Sequence, residues 1–321
     1  MVKIAQIGAV AFFSKTLLGF SQRPFSQKKS RTPLHPVYTL YSVETKNPAA
    51  VTQAVLSLQA ELFPGTSQEL LSKLFREVEA MFTGHYMDYQ AIDLGYHDFE
   101  HTLQATLCFA RMFAGRHRAG DAPRFSVRHF ELGIAAVLLH DSGYLRQRAD
   151  HAGTSAKYTH IHVLRSCAMA AGYLPTCGCS LGEIGIVTGA IRCTGPGGNP
   201  AKLSFATTED RLMGCMLVTA DYLGQMAARD YPDELAMLYR ELQESDLFFH
   251  VKPERYVFKS AEDLIAKTPN FWEQMVRPKL DDEFAGVYRF LASPYPDGPN
   301  PYVEAIDRNI DLIRRRLAAA S

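Results

Sequence analysis

The sequence lacks an excess of charge of either sign. Its 321 residues include 34 Lys and Arg and 34 Asp and Glu residues, so the formal net charge at pH 7 is zero. Proteins that bind nucleic acid polymers or anionic membranes present an excess of basic groups, and the overall charge supports neither class of partner. Any anionic ligand would therefore have to be held by a local cluster of side chains.

Cysteine is sparse, and long apolar runs are absent. Of six cysteines, only Cys177 and Cys179 lie close together, and no second pair stands at the spacing of a zinc ribbon. The apolar run at residues 7–13 is too short to span a bilayer, and no clear small-residue cleavage pattern follows it. These absences predict reduced thiols, no integral membrane contact and a cytoplasmic protein.

Acidic residues are missing from the N-terminal stretch, in which Glu44 is the first acid. The basic residues before it are Lys3, Lys15, Arg23, Lys28, Lys29 and Arg31. This stretch also lacks helical periodicity, so we expect residues 1–50 to form a basic extension. Within it, the alternation at residues 37–43 predicts one short strand.

What the sequence does have, from Val51 onwards, is apolar residues at helical spacing. A clear run contains Leu70, Leu71, Leu74, Phe75, Val78, Met81 and Phe82. The pattern predicts an all-α protein in which residues 51–250 form the main domain. Residues 251–321 are expected to form a C-terminal helical segment that packs on the same domain.

Capping patterns predict where several helices begin. They are Thr66 with Glu69, Ser180 with Glu183, Ser260 with Asp263, Thr268 before Pro269, and Asn300 before Pro301. Two stretches rich in Pro and Gly, residues 194–200 and 293–301, cannot be helical and predict loops.

Two polar pairs stand out against this apolar background. His97 and His101 are four residues apart, so on a helix both imidazoles would project from one face, although such a pair is also common on helix surfaces. His140 and Asp141 directly follow the apolar run at residues 134–139 and must be hydrogen-bonded or ligated. A hydrogen-bonded pair at a helix end is the simpler alternative.

A third polar element is Asp221, which lies among apolar positions where a carboxylate is costly unless it meets a cation. Together with the imidazoles and Asp141 it would give a mixed nitrogen and oxygen donor set. Such a set suits a divalent ion such as Zn, Mn, Fe or Mg, and a bridging carboxylate could admit a second ion. One or two divalent ions are therefore the predicted cofactors.

The order and spacing of these residues resemble a known family. Tyr96-His97-x-x-x-His101, His140-Asp141, His162-x-x-x-Ser166 and Ala220-Asp221 together resemble the HD-domain superfamily of metal-dependent phosphohydrolases, which includes cyclic-nucleotide phosphodiesterases. The resemblance covers roughly residues 90 to 235. It implies an HD-type helical bundle with additional N- and C-terminal segments.

The resemblance also implies a role for each matched residue. His101, His140, Asp141 and Asp221 would hold one metal, with Asp141 bridging to a second and counting as catalytic, and His97 would be the general acid. The further ligand to a second metal would be His162, with His160 as the alternative. The candidates for substrate binding, chosen for their position near these motifs, are Lys157, Arg165 and Arg192.

Some positions depart from the patterns of this superfamily. Position 98 is Asp where phosphodiesterases usually have Asn, and the Lys of a common branch is missing after Asp141. No Gly-Tyr-Pro motif follows, which argues against a cyclic-di-guanylate enzyme of that branch. The expected function is a phosphodiesterase that acts on a nucleotide or cyclic nucleotide. The alternatives are a di-iron oxygenase of a small substrate and a non-catalytic nucleotide-binding regulatory module.

Overall fold

The computed structural model of this protein describes residues 39–195 and 198–320, and this part of the chain is all-α, as predicted. Short 3₁₀ segments connect the helices, and no strand occurs among the described residues, where Tyr89 and Gln147 form only an isolated bridge. The helices are α1 (Pro48–Leu62), α2 (Glu69–Phe82), α3 (Phe99–Ala119), α4 (Val127–Leu139), α5 (His162–Tyr173), α6 (Leu181–Ile191), α7 (Thr208–Met226), α8 (Tyr231–Phe248), α9 (Ala261–Phe271), α10 (Arg277–Asp282) and α11 (Pro301–Ala320).

The buried helix α3 is the centre of the fold. Every residue of α3 from His101 to Arg116 is buried, and α1, α4 and α7 pack against it. The backbones of α3 and α7 approach closely at Gly224, where a Cβ atom would lie 2.8 Å from the Ala105 nitrogen. Because α3 carries His101 and α7 carries Asp221, this close packing brings two of the predicted ligands together.

Most of the predicted helix starts are confirmed. Ser180 and Glu183 form a capping box at α6, and Ser260 caps α9 by accepting a hydrogen bond from the Asp263 nitrogen. At α11, the Asn300 side chain accepts from the Tyr302 nitrogen. The predicted loop at residues 194–200 falls between α6 and α7, although residues 196–197 lie outside the described part.

Two predicted helix caps are wrong, although the helix predicted over residues 70–82 is present as α2. The Thr66 hydroxyl donates to the Phe63 carbonyl at the end of α1 (2.8 Å), and Ser67 accepts from the Glu69 nitrogen instead. Pro269 does not begin a helix but lies inside α9, where the preceding Thr268 donates back to the Leu264 carbonyl. A π-helical turn over Trp272–Val276 follows, so the chain remains helical beyond the proline.

The strand predicted at residues 37–43 is also wrong over its described part, residues 39–43, which forms turns and bends. Its polar groups contact side and main chains of the helices rather than a neighbouring strand. The Leu40 carbonyl accepts from Arg111 on α3, and the Tyr41 hydroxyl donates to the Ala227 carbonyl, both at 2.9 Å. Most of the predicted N-terminal extension, residues 1–38, lies outside the described residues.

The C-terminal helices pack on the same helical body. Helix α11 contacts α7, α8 and α9, and Asn309 donates to the carbonyl of Met226, the last residue of α7, and to that of Ala228 just after it. Trp272 is buried and donates to Asp307 of α11 at 3.0 Å. Over the described residues, no helix combines the length and the apolar character that a membrane span requires.

Candidate metal centre

His101 lies in the first turn of α3, and His97 lies just before this helix. Asp98 caps α3 by accepting from the His101 nitrogen, and its extended backbone turns the preceding residues away from the helix axis. The expectation that both histidines share one helix face is therefore wrong. The two imidazole rings nevertheless lie near each other, with centroids 5.7 Å apart.

His140 and Asp141 directly follow α4 and are almost completely buried. The Nδ1 atom of His140 lies 2.6 Å from the Val137 carbonyl oxygen. Because a carbonyl can only accept, Nδ1 carries the proton and the neutral ring presents a lone pair at Nε2. The backbone of the preceding turn thus fixes His140 in the tautomer that a metal ligand needs.

Four side chains meet at one point, one from α3, one from α7 and two from the residues that follow α4. The Nε2 atom of His101 lies 3.2 Å from Asp141 Oδ2 and 3.2 Å from Asp221 Oδ1. The Nε2 atom of His140 lies 3.4 Å and 3.5 Å from the same two oxygens, and the two Nε2 atoms are 3.3 Å apart. The ligand atoms of His101, His140 and Asp141 all lie within 4.8 Å of one another.

This arrangement fits a divalent cation. Among the described residues, the buried Oδ2 atom of Asp141 receives no hydrogen bond of ordinary geometry, and the Nε2 atom of His140 faces a second imidazole nitrogen. Burial alone would raise the pKa of the Asp141 carboxyl, but the charges of His140 and His101 hold that pKa well below its usual range. Two buried carboxylates and two imidazoles therefore form a set that needs positive charge between its members.

His162 faces the other oxygen of Asp141. Its Nδ1 atom lies 2.6 Å from the Thr159 carbonyl oxygen, so the neutral ring has its lone pair at Nε2, which is 3.6 Å from Asp141 Oδ1. His160 lies elsewhere, with its side chain 40% exposed and its Nε2 2.7 Å from Asp246. The structure thus brings His162, and not the alternative His160, to Asp141.

Ser166, the last residue of the His162-x-x-x-Ser166 motif, anchors the turn that follows Asp141. Its hydroxyl accepts from the Gly143 nitrogen at 2.8 Å. The packing is so close that a Cβ atom on residue 143 would lie 2.0 Å from the His162 carbonyl oxygen. The motif therefore joins the segment at Asp141 to the helix that carries His162.

Glu241 on α8 is a site residue that the sequence did not reveal. It is buried, its Oε1 accepts from the Gly95 and Tyr96 nitrogens, and its Oε2 lies 2.6 Å from His97 Nδ1. A usable signal was a carboxylate three residues after Leu238, which packs against the core, and four residues before the buried Ser245. The carboxylate holds His97 at the edge of the metal centre.

The three basic residues predicted to bind substrate have different surroundings. Lys157 is buried and forms an ion pair with Asp150, and Arg165 donates to the Gly143 and Leu145 carbonyls, both at 2.6 Å. Arg192 is exposed at the end of α6. Lys157 and Arg165 thus have structural partners that occupy their charged groups.

Comparison with known proteins found no protein-family model and no curated protein that matches this chain. The assignment of the site therefore depends on the geometry of its own residues.

Binding of a divalent ion at this centre should release protons. Burial lowers the pKa of His101, but the carboxylates of Asp141 and Asp221, each 3.2 Å from its Nε2, outweigh burial and raise that pKa to about 10. His101 is then protonated at pH 7.5 without metal and must lose its proton to become a ligand, so metal affinity should rise with pH. Calorimetric titration with Mn²⁺ in buffers of different ionisation enthalpy should show release of about one proton per ion or more. An enthalpy that does not vary with the buffer would contradict this prediction.

Proposed function

We propose that this chain is a metal-dependent phosphohydrolase that cleaves a phosphodiester, with a nucleotide or cyclic nucleotide as its substrate class. The observation that carries the proposal is the convergence of His101, His140, Asp141 and Asp221 beside a histidine held by a carboxylate, the His97–Glu241 pair. The resemblance to the HD-domain superfamily supports the same reaction class.

The exposure of the side chains indicates where a substrate would enter. The side chains of His101 and His140 are 2% and 1% exposed, whereas those of His97 and Asp221 are 16% and 22% exposed. The centre is therefore closed on the side of α4 and open on the side of His97 and Asp221. A phosphate group that enters from that side meets the ligands and His97 together.

His101, His140, Asp141 and Asp221 would hold the first divalent ion. The two oxygens of Asp141 face different partners, since Oδ2 lies near His101 and His140 whereas Oδ1 lies near His162. Asp141 and His162 would be the residues that hold a second ion. Divalent ions bound there would supply Lewis acidity toward phosphoryl oxygens and lower the pKa of water toward neutrality.

His97 would supply the proton that the leaving oxygen requires. Its Nδ1 contacts the Glu241 carboxylate, so a proton at Nδ1 stays on that hydrogen bond and Nε2 is the atom that can carry the transferable proton. Glu241 is itself fixed by the Gly95 and Tyr96 nitrogens. A proton donor matters most when the leaving group is an alkoxide and least when it is a stable anion such as p-nitrophenolate.

The charges around the centre favour a diester over a monoester. A phosphomonoester carries about two negative charges at neutral pH and usually needs additional cationic groups. Lys157 and Arg165 are held by Asp150 and by backbone carbonyls, respectively. A phosphodiester carries a single negative charge and therefore needs fewer cationic groups beside the metal centre.

A panel of phosphate esters tests the proposed reaction. Purified protein supplied with Mn²⁺ should hydrolyse bis-p-nitrophenyl phosphate and at least one cyclic nucleotide faster than nucleoside monophosphates. Release of phosphate from monophosphates alone would contradict the diester preference. Oxygen consumption without cleavage of any ester would favour the oxygenase alternative, and metal binding with neither activity would favour a regulatory module.

A further inference from the structure

Tyr144 contacts two of the histidines of the candidate centre through its aromatic ring. The ring centroid lies 5.0 Å from that of His97, with an angle of 27° between the planes, and 4.8 Å from that of His162, with an angle of 9°. The centroids of His97 and His162 are 6.1 Å apart, so the three rings form one cluster. Such distances are those of stacked aromatic pairs, and they restrict the rotation of both imidazoles.

The hydroxyl group of Tyr144 does not explain why this side chain is buried. The residue is fully buried, and its hydroxyl makes no hydrogen bond of ordinary geometry within the described part of the chain. The neighbouring Thr159 hydroxyl donates instead to the Ala156 carbonyl at 2.7 Å. A buried hydroxyl without a well-formed hydrogen bond is a cost, and the contacts of Tyr144 with the two histidines are made by its ring.

The main chain holds this ring in place. Tyr144 belongs to the 3₁₀ segment Ser142–Tyr144, which Ser166 anchors to α5 through the Gly143 nitrogen. Arg165 clamps the same segment by donating to the carbonyls of Gly143 and Leu145, on either side of Tyr144. On its outer side, the ring packs against Leu94 and Ala156. Tyr144 therefore offers the two imidazoles a support that cannot easily shift.

We propose that Tyr144 is a positioning residue whose ring fixes the orientation of the His97 proton donor and of the His162 metal ligand. Each histidine is held at Nδ1 by one hydrogen-bonding partner, and the Tyr144 ring adds a contact along the face of each imidazole. The part that concerns His97 rests on the proposed function. The part that concerns His162 requires only that the centre binds metal.

Two substitutions separate the ring from the hydroxyl. Tyr144→Phe keeps the ring and its contacts with both imidazoles, so it should retain Mn²⁺ binding and turnover within about twofold. Tyr144→Met keeps apolar volume without a planar ring. It should lower turnover of an alkyl phosphodiester by about 10- to 100-fold. The affinity for the second Mn²⁺ ion should fall by a similar factor, because loss of the residues that support a metal ligand typically has this effect.

The leaving group distinguishes positioning from a merely structural role. The alkyl diester for this test is the one that the wild type cleaves fastest. If Tyr144 orients His97, Tyr144→Met should slow hydrolysis of this diester far more than hydrolysis of bis-p-nitrophenyl phosphate. Equal losses on both substrates with normal Mn²⁺ binding, or no loss on either, would overturn the proposal. So would a Phe variant as impaired as the Met variant. Thermal melting checks folding, and Tyr144→Leu replaces the Met variant if that variant does not fold.

Calorimetric titration of metal-free protein with Mn²⁺ keeps this test separate from the proposed function. If the wild type cleaves no ester, the proposed function fails, and the role of Tyr144 toward His162 is judged by Mn²⁺ binding alone. Weaker binding in Tyr144→Met, but not in Tyr144→Phe, supports that role. Identical Mn²⁺ affinity and stoichiometry in all three proteins overturns it.

Discussion

Asp141→Asn is expected to lose both the bound metal and the phosphoesterase activity. One oxygen of Asp141 faces His101 and His140, and the other faces His162. The substitution therefore removes a negative charge that ions on both sides of Asp141 would need. Changes to the outer partners of metal ligands already cost about 10- to 100-fold, and loss of a shared ligand should cost more. Elemental analysis of the dialysed protein and initial rates on bis-p-nitrophenyl phosphate measure the two effects.

The chain offers a matched control for this substitution. Asp246 also contacts a histidine, since its Oδ1 lies 2.7 Å from His160 Nε2, but this pair is away from Asp141 and the His160 side chain is 40% exposed. Asp246→Asn should therefore keep its metal and its turnover. If Asp141→Asn retained a full complement of metal and the wild-type rate, the assignment of the centre would be wrong.

His97→Gln is expected to keep the metal and lose turnover in a manner that depends on the leaving group. Removing a general acid should cost on the order of 10²- to 10⁴-fold for an alkyl phosphodiester. The loss should be much smaller for bis-p-nitrophenyl phosphate, because p-nitrophenolate departs without a proton. The measurement is the ratio of turnover numbers on the two substrates in the variant and the wild type, with metal content determined in parallel.

Glu241→Gln should show the same dependence on the leaving group with a smaller loss. The carboxylate uses one oxygen for the Gly95 and Tyr96 nitrogens and the other for His97 Nδ1, and a single amide oxygen cannot accept at both places. His160→Gln is the control, since His160 also pairs with a carboxylate but lies outside the centre. Equal losses on both substrates in His97→Gln would show that His97 acts in some way other than as a proton donor.

The sequence was sufficient to predict the residues that meet at the centre. His101, His140, Asp141 and Asp221 are polar groups next to or among buried apolar positions, which is a costly arrangement unless the groups share a cation. That these four residues form one set, with His101 rather than His97 as the ligand, was implied by the resemblance to the HD-domain superfamily and not by periodicity. The all-α class could be predicted from periodicity, because the apolar spacing persists along most of the chain.

Features that depend on contacts between distant segments could not be predicted in this way. Glu241 reaches His97 across 144 positions of sequence, and its partners at residues 95 and 96 are backbone nitrogens that leave no sequence pattern. Arg165 was a candidate for binding phosphate, but its guanidinium donates to the carbonyls of Gly143 and Leu145. His97 was expected on a helix because its spacing to His101 fits, whereas Asp98 is the N-cap of α3 and the helix begins only after it.

The most direct test of the central claim is a titration of metal-free protein with Mn²⁺ in which bound metal and phosphodiester hydrolysis are measured on the same samples. The account predicts that hydrolysis is absent without metal, rises in proportion to the ions bound at the His101, His140, Asp141 and Asp221 centre, and stays absent in Asp141→Asn. Full occupancy of the centre without cleavage of any phosphate ester, or cleavage that does not depend on metal, would contradict it.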